Sequence, residues 1–172
     1  GCGVLVGAAR AAVSVGGGLT HRLGLFDGVL AKENHLALLP HGAKEAAEKI
    51  ANVPESEKEK LGSFWEIEVE DTADFFSVLA VFDEKTPVSP GVIMCDNFSP
   101  QDIDRIFSQI SKSKYHQKNI FFEASGGITS KNILEFINHA SKIKNNPKRC
   151  NYALKNKTML MIFEKPSLRT RV

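Results

Sequence analysis

Short apolar, β-prone runs recur along this chain, and in its second half helical patterns stand between them. The runs are Ala12 to Val15, Leu30 to Ala31, Trp65 to Val69, Gly91 to Cys95, Ile120 to Glu123 and Met159 to Phe163. Ile103, Ile106, Phe107 and Ile110 fall at i, i+3, i+4, i+7, after Ser99 as N-cap and Pro100 as the first helical residue. Ile133, Phe136, Ile137 and Ala140 repeat that spacing after Thr129 or Ser130. Strands alternating with helices of this length favour right-handed βαβ units and a parallel sheet, open or closed, so the expected class is α/β. The runs from Ile120 and Met159 are almost continuously apolar, as strands covered on both faces are. Lys142 to Lys157 is rich in Lys and Asn and reads as a linker or a long surface connection.

A chain of 172 residues that is 42% hydrophobic can bury one ordinary core, so one domain or a large piece of one is expected. The net charge of +2 argues against a nucleic-acid footprint, which needs a strongly basic face, so anion binding has to be local. Cys2, Cys95 and Cys150 are widely spaced and form no C-x-x-C pair, which suggests neither a disulfide framework nor a zinc site and fits a reducing, cytoplasmic compartment. No run is long enough to span a bilayer, and the Gly- and Ala-rich opening lacks a basic leader. The absence of an initial Met and the stop directly after Arg171 lead to the expectation that both ends are cut.

In parallel α/β folds, loops and helix N-termini converge at the carboxyl ends of the strands, and ligands gather there. Polar groups stand at such ends in this sequence. Glu70 follows the run ending at Val69, Asp96 follows Cys95, and Ser125-Gly126-Gly127 follows the run from Ile120. The Ser-Gly-Gly turn has the parts of a phosphate cradle, although a tight strand-to-helix turn is the plainer reading. Glu70 and Asp96 suit Mg²⁺ held through one or two carboxylates and water, or else they cap the following helices. Glu68 alternates with Glu66 and Glu70 and leaves several roles open, including interior pairing with a lysine. His21, Arg22 and Lys32 could converge on a substrate bearing carboxylates, or be solvated surface cations. His35 and His41 read as packing or surface residues. Phe75, Phe76, Phe82, Phe121 and Phe122 read as core, since no basic residues interleave them.

The segments Gly16 to His35, Glu66 to Glu70, Met94 to Phe98 and Glu123 to Thr129 together resemble quinolinate phosphoribosyltransferase, the carboxylating nicotinate-nucleotide pyrophosphorylase. The resemblance covers roughly Ala12 to Thr129. It implies a partial parallel βα barrel of that type and a transferase of NAD biosynthesis. That enzyme converts quinolinate and phosphoribosyl pyrophosphate to nicotinate mononucleotide, pyrophosphate and CO₂ with Mg²⁺. Carried over, His21 and Arg22 would contact the quinolinate carboxylates, and Lys32 would act in the same pocket. Glu70 and Asp96 would serve the ribose and the Mg²⁺-pyrophosphate, and Ser125, Gly126 and Gly127 would take a phosphate. The family's Thr-Arg-Lys-Thr segment has no counterpart in Gly1 to Ala11, and its second phosphate loop is missing one strand after Gly127.

In place of that loop, Met159 to Arg171 resembles the ornithine and related carbamoyltransferases, where Ser167, Arg169 and Thr170 would bind carbamoyl phosphate. This second resemblance reaches back through Leu154 to Lys157 and to the helix from Ser130. The implied division is a phosphoribosyltransferase barrel over 1–129 and a carbamoyltransferase-like helix-strand unit over 130–172. An incomplete phosphoribosyltransferase acting on small molecules is the first expectation. A carbamoyltransferase fragment and a non-catalytic chimeric product are the alternatives. Unpaired strand edges lead to the further expectation of self-association.

Overall fold

The computed structural model describes residues 15, 28–62, 64–85, 87–112, 120–129, 131–141, 150–155 and 158–163. Of the run from Ala12 only Val15 falls among these, and it is helical and exposed instead of extended.

Four strands form where apolar runs stand: β1 (Gly28–Ala31), β2 (Phe64–Val69), β3 (Gly91–Asp96) and β4 (Ile120–Ser125). They pair in chain order and in parallel, which confirms the α/β class. A parallel neighbour requires a crossover, and helices supply it. Between β1 and β2 lie α1 (Glu33–Leu36), α2 (Gly42–Ala51) and a 3₁₀ helix (Glu55–Leu61); α3 (Thr72–Glu84) joins β2 to β3, and α4 (Pro100–Lys112) joins β3 to β4.

The helices bury one stripe each. Phe75, Val78, Leu79 and Phe82 of α3 fall at i, i+3, i+4, i+7 and are buried, as are Ala43, Ala46, Ala47, Ile50 and Ala51 of α2. Ile103 and Ile106 of α4 enter the same core, with Ile110 partly buried against it. Phe75, Phe82 and Phe122 are core residues as read from the sequence; Phe76 packs on them, whereas Phe121 is half-buried on the other face of its strand. The strands contribute Trp65, Ile67, Val69, Ile93, Cys95, Ile120, Phe122 and Ala124. Period-two alternation therefore turns Leu30, Glu66, Glu68, Val92, Met94, Asp96, Glu123 and Ser125 to the opposite face.

Helix α4 starts as its sequence foretells. The Ser99 Oγ accepts from the Asp102 amide at 3.2 Å and donates to Asp102 Oδ2 at 2.6 Å, while the Ser99 amide donates to the same carboxylate at 3.2 Å. This reciprocal cap satisfies amides that the first helical turn leaves open. The Ser99 bonds also hold the Asp102 carboxyl below its ordinary value of 3.8. A depressed carboxyl stabilises the fold above its unfolded pKa, and that contribution fades as pH falls through the folded value. Ser99→Ala is expected to cost about 1 kcal/mol at neutral pH. In urea melts, its deficit should narrow below the ordinary aspartate value; a deficit independent of pH would contradict the coupling.

The C-terminal part departs from the expected all-parallel sheet. After α5 (Ile133–Ser141) come β5 (Cys150–Lys155) and β6 (Thr158–Phe163), so a strand occupies part of what the Lys- and Asn-rich composition presents as a loop. β6 pairs antiparallel with both β4 and β5, and the sheet order is β1-β2-β3-β4-β6-β5. The physical reason is the connection: Lys155 is in register with Thr158, leaving two residues between the strands, too few for a crossover. Among the described residues no helix is long and apolar enough to cross a membrane.

Candidate functional site at the strand ends

Because β1 to β4 are parallel, their carboxyl ends lie on one edge of the sheet. Register then arranges the face away from the helices in rows. Leu30, Glu66, Val92 and Phe121 are cross-strand neighbours. Glu68, Met94 and Glu123 form the next row, level with Lys32 just past β1. Asp96 and Ser125 pair at the top, and Glu70 stands one residue past the Val69–Cys95 pair. Lys32, Glu70, Asp96 and Ser125-Gly126-Gly127, singled out from the sequence, are thus brought to one edge. His21 and Arg22 lie outside the described residues, as do Ser167, Arg169 and Thr170.

Glu66, Glu68 and Glu123 are buried, an unusual density of carboxylates for an interior. Lys32 Nζ stands 3.5 Å from Glu68 Oε2, with the lysine side chain 45% exposed and the carboxylate 7%. The interior pairing left open for Glu68 is therefore made. Burial pushes the Glu68 carboxyl above its usual range, Lys32 opposes the shift, and Asp96 and Glu33 add to it. Asp96 lies close enough to Glu68 to be felt across the two rows. Lys32 is consequently a cation anchored from below, with its head toward solvent.

The alternative roles for the strand-end carboxylates fail. Helix α3 is capped by Asp71, whose Oδ1 accepts from the Asp74 amide at 2.8 Å, and α4 by Ser99, so neither Glu70 nor Asp96 is used as a cap. Glu70 is exposed and Asp96 half-buried. Among the described residues no group of three or more His, Cys, Asp or Glu side chains gathers as a metal cage. Two hard carboxylates on adjacent strand ends fit a Mg²⁺ whose other ligands are water and substrate phosphates. His35 and His41 are exposed, and the His35 Nδ1 accepts from the Lys32 amide at 3.1 Å, a local bond at the start of α1.

The Ser125-Gly126-Gly127 turn has two consecutive residues in the left-handed region, with φ of 80° at Gly126 and 64° at Gly127. Glycine adopts this region without steric cost and lets a ligand approach the backbone closely. Helix α5 begins at Ile133, later than Thr129 or Ser130, and Asn132 spans the gap: its Nδ2 donates to the Gly127 carbonyl at 3.0 Å and its Oδ1 accepts from the Thr129 amide at 2.6 Å.

Asn97, to which the sequence reading assigns no role of its own, ties this turn to Asp96. Its amide donates to the Ser125 carbonyl at 2.9 Å and its Nδ2 to Asp96 Oδ2 at 2.8 Å. A sequence signal exists only as adjacency to Asp96. The buried thiol of Cys95 faces the helices; burial pushes it far above its ordinary value, so it is inert packing.

Comparison with known proteins finds two families along the chain. The quinolinate phosphoribosyl transferase C-terminal domain family matches residues 4–144, and the carbamoyl-P binding domain of aspartate/ornithine carbamoyltransferase matches residues 122–172. A probable nicotinate-nucleotide pyrophosphorylase [carboxylating] of Methanocaldococcus jannaschii is 38% identical over 128 residues, covering 73% of this chain and 40% of the relative. A protein of the same description from Bacillus subtilis is 34% identical over 125 residues, covering 73% of this chain and 37% of the relative. The ornithine carbamoyltransferase of Shewanella oneidensis is 49% identical over 45 residues, 26% of this chain and 15% of the relative. The chain spans about two fifths of the pyrophosphorylases it matches. With four parallel strands forming part of a βα barrel and a match over most of its length, the chain belongs to the quinolinate phosphoribosyl transferase C-terminal domain family.

Proposed function

We propose that this chain carries the strand-end part of a quinolinate phosphoribosyltransferase site, turning quinolinate and phosphoribosyl pyrophosphate into nicotinate mononucleotide, pyrophosphate and CO₂. The observation that supports it is the placement of Lys32, Glu70, Asp96 and the Ser125-Gly126-Gly127 turn on one edge of parallel strands. Lys32, braced by Glu68, would draw a quinolinate carboxylate, with His21 and Arg22 as its further partners. The glycine turn would hold a phosphate through backbone amides. Glu70 and Asp96 would hold Mg²⁺, which when bound offsets the charge on the departing pyrophosphate. Loss of pyrophosphate develops positive charge on the ribose, and dipoles already fixed in place lower that barrier without reorganising. Once the pyridine nitrogen bonds to ribose, the cationic ring favours loss of the adjacent carboxylate as CO₂, with solvent returning a proton to the ring carbon. The protein's part in that last step is orientation.

A cytoplasmic setting is proposed too, supported by the free thiol of Cys95 in the core, together with self-association through sheet edges and no nucleic-acid partner. We propose that the join between the two ancestries lies close to Thr129; residues 122–144 are matched by both families.

The carbamoyltransferase match supports a second reading, a site at Ser167, Arg169 and Thr170 forming citrulline from ornithine and carbamoyl phosphate. A product assay with both substrate sets separates the readings. Nicotinate mononucleotide without citrulline is expected. Citrulline alone would transfer the function to the second reading, and neither product would leave a binding module.

A further inference from the structure

Asn97 is the one non-glycine residue with a positive φ, 56°, among the described residues, and it is exposed, so packing does not force the conformation on it. Asn tolerates the left-handed region better than most residues, yet still at a cost that surrounding bonds must offset. Here those bonds all run into the strand-end corner. The amide extends the β3–β4 ladder by one bond past the Asp96–Ser125 pair, reaching the Ser125 carbonyl at 2.9 Å. The side-chain Nδ2 holds Asp96 Oδ2 at 2.8 Å. Its other end stands close against Gly126: a Cβ there would stand 2.2 Å from Asn97 Oδ1 and 2.7 Å from Cγ.

From this geometry we propose that Asn97 is a positioning residue that fixes the Asp96 carboxylate relative to the Ser125-Gly126 turn, so that the cation side and the phosphate side of the site are set as one unit. The assignment rests on the proposed phosphoribosyltransferase reading and adds to it a residue that touches no substrate. One side chain reaches both halves, which explains why a strained, exposed asparagine stands where a glycine would be easier.

The test compares Asn97→Gly and Asn97→Ala with wild type in the full chain, measuring binding of inorganic pyrophosphate in the presence of Mg²⁺ by calorimetry, and the melting temperature. Glycine suits a φ of 56° best, so a purely structural role predicts that Asn97→Gly melts and binds like wild type. The positioning role predicts wild-type melting with affinity lower by about tenfold or more, the usual effect of removing a residue that orients a ligand-holding carboxylate. Asn97→Ala should lose both affinity and stability. Unchanged affinity in Asn97→Gly would overturn the assignment alone. Failure of the wild-type chain to bind pyrophosphate would overturn the functional reading and the assignment with it.

Discussion

Gly91→Ala is expected to destabilise the fold by about 3 kcal/mol or more, the upper end of what overpacking a filled core costs. Gly91 is the cross-strand neighbour of Trp65, and a Cβ on it would fall 1.8 Å from the indole Cε2 and 2.0 Å from Cζ2. A methyl group at that distance requires the ring to leave. The ring is held from two directions: its face stacks on Phe82 with centroids 4.4 Å apart, and its Nε1 donates to the Ser89 carbonyl at 2.9 Å. Displacing it breaks a buried hydrogen bond and opens a gap beside Phe82, so the cost combines strain with lost packing. For a domain of this size, 3 kcal/mol corresponds to a fall of roughly 6–12 °C in melting temperature. Trp65→Leu should recover part of the loss in the Gly91→Ala background, because the two residues share one volume. A Gly91→Ala protein within about 1 kcal/mol of wild type, no more than the bottom of the usual overpacking range, would show that the indole is not fixed as described.

Gly126→Ala should weaken pyrophosphate binding by at least about tenfold, since a ~1 Å misplacement at such a site carries larger penalties than a lost contact. Two costs meet at this position. The φ of 80° strains any L side chain, and the new Cβ would stand 2.2 Å from Asn97 Oδ1 and 2.8 Å from the Asn97 amide nitrogen. The side chain is free to swing, but the backbone nitrogen is held by the Ser125 carbonyl, so the glycine turn must move instead. Gly127→Ala is the informative contrast. Its φ of 64° carries the strain, but nothing lies within 4 Å of the added Cβ. It should therefore cost only the left-handed term, about 1–2 kcal/mol, and less affinity. Equal effects at Gly126 and Gly127 would remove the contact with Asn97 from the account.

Much of the strand framework is legible in the sequence because the helix-facing positions of β2, β3 and β4 are apolar at every second residue: Trp65, Ile67 and Val69, then Ile93 and Cys95, then Ile120, Phe122 and Ala124. Their ends are legible for the same reason: Glu70, Asp96 and Ser125 interrupt the apolar runs where the chain leaves the sheet. The first crossover is harder to see. Helix α2 buries Ala43, Ala46, Ala47 and Ala51, and alanine gives a weak apolar stripe although the spacing is helical. Strand β5 is hidden by composition. Cys150, Tyr152 and Leu154 alternate with Asn151, Ala153 and Lys155, a strand period embedded in a Lys- and Asn-rich stretch that outweighs it. The antiparallel β5–β6 pair depends on a two-residue connection, which becomes visible only once β5 is recognised. The Lys32–Glu68 pair follows from register across β1 and β2, a long-range fact that no local pattern encodes. The role of Asn97 lies in a backbone angle and three contacts, none of which leaves a trace in residue type beyond its place after Asp96.

The central claim is that the strand-end residues form a site for a phosphorylated ribose and its pyrophosphate. Calorimetric titration of the full chain with phosphoribosyl pyrophosphate, with and without Mg²⁺, tests it most directly. A saturable heat that requires Mg²⁺ and is lost in Asp96→Ala is the predicted result. No heat, or the same heat in wild type and Asp96→Ala, would contradict it.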